Sequence, residues 1–197
     1  MAKIANNKKN IKKNVHIAQA PKANVKHINL QENKYLKYVI ALLLAIFAFL
    51  IYSNTLDNKY ALDDDVITLK NRFVQQGPSA IKDIFGKGFT VGFDNNNTGS
   101  YRPLVLANMA YEIHYFGNNP KAHKFFNIFF YAISCLILFL LLRDLFANYH
   151  ILLPIAMTLL YVAHPIHTEV VANIKSRDEI LCFMFFIASL YTFFKAY

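Results

Sequence analysis

The chain has 197 residues, 55% of them hydrophobic, with 18 Phe, 12 Tyr, no Trp and a formal charge of +9. A mean hydropathy of +0.26 excludes an ordinary soluble domain and predicts a membrane protein. The positive charge does not amount to a nucleic-acid footprint. The lysines carry no accompanying aromatic or arginine pattern, and membrane topology accounts for them.

Residues 1–37 come first, a basic segment whose only acid is Glu32. It is rich in Asn and Lys and lacks a sustained apolar period, which predicts a largely disordered cytoplasmic tail. Residues 38–197 then read as one all-α, polytopic membrane unit. The apolar runs Tyr38–Tyr52, Phe125–Leu142, Ile151–Ala163 and Ile180–Phe194 predict four spans, at about 36–54, 124–142, 149–164 and 179–196. Each run is shorter than the ~20 residues that a spanning helix prefers. Lys34, Lys37 and Lys195 extend them by snorkelling. The third run is the weakest, being the shortest and carrying Pro154 near its start. The long polar leader and the lack of a small-residue cleavage site mark the first span as a signal anchor.

With the basic tail inside, the loops 55–123 and 165–178 fall on the outer face. Asp63-Asp64-Asp65, about ten residues beyond the first span, therefore share a side with His164–Arg177. The first loop is too long for a simple connector and is expected to fold. Gly77-Pro78-Ser79 reads as a turn into a helix at Ser79–Phe85, stopped by Gly86-Lys87-Gly88. Asn96-Asn97-Thr98 matches a glycosylation sequon. Pro103 opens and Gly117 closes a helix too polar to span, which predicts an interfacial helix on the active face.

Acids cost several kcal/mol at the bilayer centre, so Asp63, Asp64 and Asp65 belong at the water boundary. There a carboxylate can take a proton from an acceptor hydroxyl, or the cluster can hold a divalent cation. The third reading is a solvated acidic turn. Arg102 has the fork geometry for a phosphate, or for anchoring in headgroups. In His164-Pro165-Ile166-His167-Thr168-Glu169 the spacing differs from H-E-x-x-H. Its histidines suit hydrogen bonding to a departing phosphate, or a capped polar loop. Arg177 can serve the same phosphate or pair with Asp178 and Glu179. No G-x-S-x-G or phosphate-cradling glycine loop occurs, so base-assisted displacement is expected rather than covalent catalysis. Cys135 and Cys182 lie in apolar runs and are expected to pack as small hydrophobes without a disulfide.

Several motifs occur in one order: Leu62-Asp63-Asp64-Asp65 with Asn71, Tyr101-Arg102-Pro103-Leu104, Phe116-Gly117-Asn118-Asn119-Pro120 with His123 and Asn127, and His164 to Val171 with Arg177. The set resembles the N-terminal part of the polytopic C-type glycosyltransferases related to protein O-mannosyltransferases. The nearest resemblance is to the group that follows its membrane helices with tetratricopeptide repeats, and to bacterial relatives. It covers about Leu56 to Leu190. It implies inverting transfer of a sugar from a polyprenyl-phosphate carrier to an acceptor hydroxyl, such as protein Ser or Thr, at the non-cytoplasmic face. On this reading Asp63 is the base and Asp64 or Asp65 positions it, while Arg102, His164, His167 and Arg177 line the phosphate side. The donor lipid is the expected small-molecule partner. The location expected is a bacterial inner membrane with the N-terminus cytoplasmic. Family members have about twice as many spans, and no tetratricopeptide period is present here, so a fragment or a partner-dependent chain is expected. Two other classes compete: a non-catalytic membrane scaffold, and a transporter component, which the scarcity of ionisable residues within the spans disfavours.

Overall fold

The protein was analysed as a computed structural model that describes residues 35–61, 63–95 and 99–197. The expectations for the basic tail up to residue 34 and for the Asn96-Asn97-Thr98 sequon fall outside them. The architecture is all-α, as expected. Helix α1 (Leu36–Tyr52) runs into a 3-10 turn, Ser53–Asp57. The loop that follows folds into four short helices, α2 (Asp64–Ile67), α3 (Arg72–Gln75), α4 (Ile81–Gly86) and α5 (Val91–Asp94), and one longer helix, α6 (Pro103–Phe116). Helices α7 (Pro120–Leu145), α8 (Leu152–Ala163), α9 (His167–Ala172) and α10 (Arg177–Ala196) complete the chain.

Three segments, Leu36–Asp57, Pro120–Leu145 and Ile174–Ala196, are long and apolar enough to cross a membrane. The fourth predicted span is the 12-residue helix α8, about 18 Å long at 1.5 Å per residue. It still connects the two ends of the bundle. Asp144, at the end of α7, lies 3.9 Å from Lys37 at the start of α1 and 2.7 Å from Lys195 at the end of α10. The end of α1 and the starts of α7 and α10 therefore lie at the opposite end, and α8 must return the chain there. Pro154 is tolerated because it occupies the first turn of α8, where an amide hydrogen has no helical partner.

Helix α7 starts earlier than the apolar run suggests. Pro120 stands at its first turn, and Asn119 caps it by accepting from the Lys121 amide at 3.0 Å. Its inward face joins Ala45, Ala48 and Tyr52 of α1 to Ile128, Tyr131, Ala132 and Cys135. Alanines on α1 let the two backbones approach closely, as in membrane helix pairs generally. Cys135 is buried in this seam, Cys182 is exposed, and both thiols are free.

The first loop forms a cap with a core of its own. Val105, Leu106, Met109, Ala110 and Ile113 turn one face of α6 onto Ile67, Phe73, Val74, Ala80 and Ile84. Leu104, Tyr111, Tyr115 and Phe116 remain exposed, as an amphipathic helix at an interface requires. Gly117 ends α6 with φ +66°, a conformation that side chains disfavour. The buried Asn71 caps α3 by accepting from the amides of Phe73 and Val74 at 3.1 and 3.3 Å. Gly92 packs directly on it, and a Cβ there would lie 2.1 Å from Asn71 Oδ1. Gly92→Ala must push away a cap that is already engaged. It is expected to destabilise the fold by about 1–3 kcal/mol, the usual cost of overpacking. Thermal unfolding in detergent micelles measures this, and an unchanged midpoint would refute the contact.

Candidate active site

The site forms at the end of the bundle where the cap meets the membrane helices. Asp64 is completely buried. Its Oδ2 accepts from the Ala61 amide and its Oδ1 from the Lys175 amide, each at 3.0 Å. A buried carboxylate needs such charge-assisted partners to offset its lost hydration. The second bond ties the acidic turn to the turn before α10, 111 residues away. The acidic turn and the 164–177 region, expected to share one face, thus touch through Asp64 and Lys175.

This arrangement leaves Asp63 and Asp65 at the surface. Asp65 pairs with Lys70 at 3.3 Å, and Asp63 pairs with the Lys175 ammonium. Asp63, Val66, Phe89, Arg102 and Lys175 help line a cavity of about 300 Å³. Arg102 sits in its wall, 2.8 Å from Asp178, with its guanidinium over the Phe89 ring. Tyr60, beside the acidic turn, has its phenol pushed up to about 12, mainly by burial and then by the charges of Asp64, Asp65 and Glu112. Among the described residues no group of three or more His, Cys, Asp or Glu side chains is placed to hold a metal ion.

Arg177 is not in this cavity. It is fully buried, donating from Nε to Asn127 Oδ1 at 2.7 Å and from Nη2 to the His123 carbonyl at 2.7 Å. Its Nη1 serves Asn108 and Glu112, and His123 Nδ1 lies 2.6 Å from the other Glu112 oxygen. This network fastens α6 of the cap to the starts of α7 and α10. Lys124 and the same Asn127, both on α7, secure the segment that presents Lys175. Lys124 donates to the Ala172 carbonyl at 2.7 Å, and Asn127 to the Asn173 carbonyl at 2.8 Å.

The histidines occupy a different place at the same end. His164 is exposed and accepts from the Ile166 amide at 3.3 Å. His167 packs on Tyr161 with ring centroids 4.3 Å apart. His167 and Tyr161, together with Tyr131, Ser134, Glu179 and Phe183, help line a second cavity of about 230 Å³, which His164 does not line. Burial, and secondarily the charge of His164, holds the His167 imidazole below the usual histidine range.

The predicted residues thus divide into a cleft with Asp63, Arg102 and their support Asp64, a surface pair at Asp65, a separate cavity with His167, and a buried anchor at Arg177. Sequence reasoning missed Lys175, Lys124, Asn108 and Glu112. A signal existed for two of them, because positions 108 and 112 share the helical face of Val105 and Met109. Polar residues on that buried face need a partner from elsewhere in the fold.

The human protein O-mannosyl-transferase TMTC1 is 32% identical over 157 residues, which is 76% of this chain and 17% of that protein. The mouse protein O-mannosyl-transferase TMTC4 is 26% identical over 172 residues, 79% of this chain and 23% of its own length. The human protein O-mannosyl-transferase TMTC3 is 28% identical over 146 residues, 72% of this chain and 15% of that protein. The chain is related to the protein O-mannosyl-transferases. It spans less than a quarter of the length of each of these three relatives. No protein-family model and no solved structure matches it. Three helices long and apolar enough to cross a membrane make this an integral membrane protein.

Proposed function

We propose that the chain is the membrane part of a glycosyltransferase that moves mannose from a polyprenyl-phosphate carrier to a protein Ser or Thr hydroxyl. The observation that carries this reading is Asp63, an accessible carboxylate held at the membrane end of the bundle in a cleft that also contains cations. The acceptor hydroxyl oxygen attacks the anomeric carbon as the bond from that carbon to the phosphate oxygen breaks. The hydroxyl proton passes to Asp63, and the phosphate leaves with the bonding electrons. A single displacement of this kind inverts the anomeric centre. General-base assistance contributes about 10²–10⁴-fold.

Asp64 acts through Asp63 as a positioning residue, because its two backbone bonds set the turn that aims the neighbouring carboxylate. Arg102 faces the departing phosphate, where its fork stabilises growing charge. His167 borders the approach of the lipid phosphate from the second cavity, with the exposed His164 beside it, and Arg177 holds the cap over the bundle. The active face is non-cytoplasmic in a bacterial inner membrane, with the basic tail inside.

The reading is tested by supplying membranes that contain the protein with radiolabelled polyprenyl-phosphate mannose and following label onto protein hydroxyls. Transfer above membranes lacking the protein is expected. No transfer from any polyprenyl-phosphate sugar, at normal protein abundance, would identify a scaffold instead.

A further inference from the structure

Each cation in the Asp63 cleft is engaged by a carboxylate: Lys175 by Asp63 and Arg102 by Asp178. Lys175 is fixed by its backbone, since its amide donates to Asp64 Oδ1 at 3.0 Å and to Asn173 Oδ1 at 3.0 Å. Its side chain is part-exposed and turned into the cavity. The backbone is therefore rigid while the ammonium is free to exchange partners. The Asp63 side chain is 59% exposed, and an ion pair so open to water is weakly held. A phosphate offers more negative charge and more acceptor oxygens than one carboxylate, and lysine binds it as a point charge.

We infer that Lys175 is a phosphate-binding residue that exchanges Asp63 for the phosphate of a ligand entering this cleft. The inference rests on the transferase reading for the source of that phosphate, a prenyl phosphate ester. With the cleft empty of phosphate, Lys175 occupies the carboxylate that would serve as base. When a phosphate enters, the ammonium moves to it and Asp63 becomes free to accept a proton. The exchange moves one ion pair and breaks no covalent bond. A phosphodiester gains charge as it departs, so Lys175 binds the leaving group more tightly than the bound donor, which favours the transition state. The same residue thus couples donor occupancy to the availability of the base, and without a donor Asp63 stays paired.

The test is equilibrium binding of farnesyl phosphate, farnesol and inorganic phosphate to the full chain in detergent micelles. Asp63→Asn removes the competitor, and it is expected to tighten farnesyl phosphate binding about three- to fivefold, the worth of an exposed ion pair. Lys175→Met is expected to weaken it about tenfold, the worth of a charge-assisted hydrogen bond. Lys175→Arg keeps the charge and should retain most of the binding, which separates lost recognition from lost folding. In Lys175→Met, adding Asp63→Asn should bring a smaller gain than in the wild type, because only the direct repulsion between Asp63 and the phosphate is then removed; an equal gain overturns the exchange. Unchanged or weaker binding by Asp63→Asn, or full binding by Lys175→Met, overturns the exchange. Equal binding of farnesol and farnesyl phosphate overturns it too, while leaving the transfer assay to judge the transferase reading. The same pattern with inorganic phosphate alone upholds the exchange and removes the lipid as its source.

Discussion

Replacing Arg177 by Met is expected to destabilise the protein by about 3–5 kcal/mol, the cost of stranding the partner of a buried ion pair. Arg177 and Glu112 are both sealed from solvent, at 0% and 3% side-chain exposure. Removing the guanidinium takes the charged partner from Glu112 Oε1 and the donor from Asn108 Oδ1 and Asn127 Oδ1. Methionine fills part of the space but supplies none of these bonds. The midpoint of thermal unfolding in micelles should fall sharply, and membrane abundance with it. The double variant Arg177→Met with Glu112→Leu should recover part of the loss, since no uncompensated charge then remains. A single variant as stable as the wild type would remove the network from the account of the fold. The ion pair is a means of orientation more than a source of net stability. It joins cap to bundle in one register, and that register places the Lys175 turn against Asp64.

Asp63→Asn is expected to lower sugar transfer by about 10²–10⁴-fold, the usual contribution of a general base, with an unchanged unfolding midpoint. The carboxylate is exposed, and among the described residues its ion pair is with the part-exposed Lys175, so its removal costs the fold little. Asn has nearly the same shape but cannot take the proton. Asp64→Asn should behave differently. The amide retains one acceptor oxygen for two backbone donors, Ala61 and Lys175, so transfer and thermal stability should fall together. That contrast distinguishes the reacting carboxylate from its support. Transfer that survives Asp63→Asn but not Asp64→Asn would move the base by one residue and turn Asp63 into a rim charge.

Much of this protein was readable in its sequence. Apolar runs of near-membrane length dictate helices, because only a closed set of backbone hydrogen bonds survives in lipid. Pro103, Gly117 and Pro120 mark helix ends through local backbone chemistry that needs no tertiary partner. The acidic turn was legible because carboxylates are costly inside the bilayer and so belong at the water boundary beyond a span. Their division of labour was a different matter. Asp63 and Asp64 are adjacent and chemically identical, yet one faces a cleft and the other is buried on two backbone amides. Arg102 and Arg177 look equally suited to phosphate, but only Arg102 reaches the cavity. Lys175, among many lysines, gained importance only when the chain brought it to Asp63. Local sequence determines helix, turn and span because the energies involved act within a few residues. Which carboxylate is reactive and which cation is structural depends on burial and on partners 50 to 112 residues away, and only the tertiary fold supplies those.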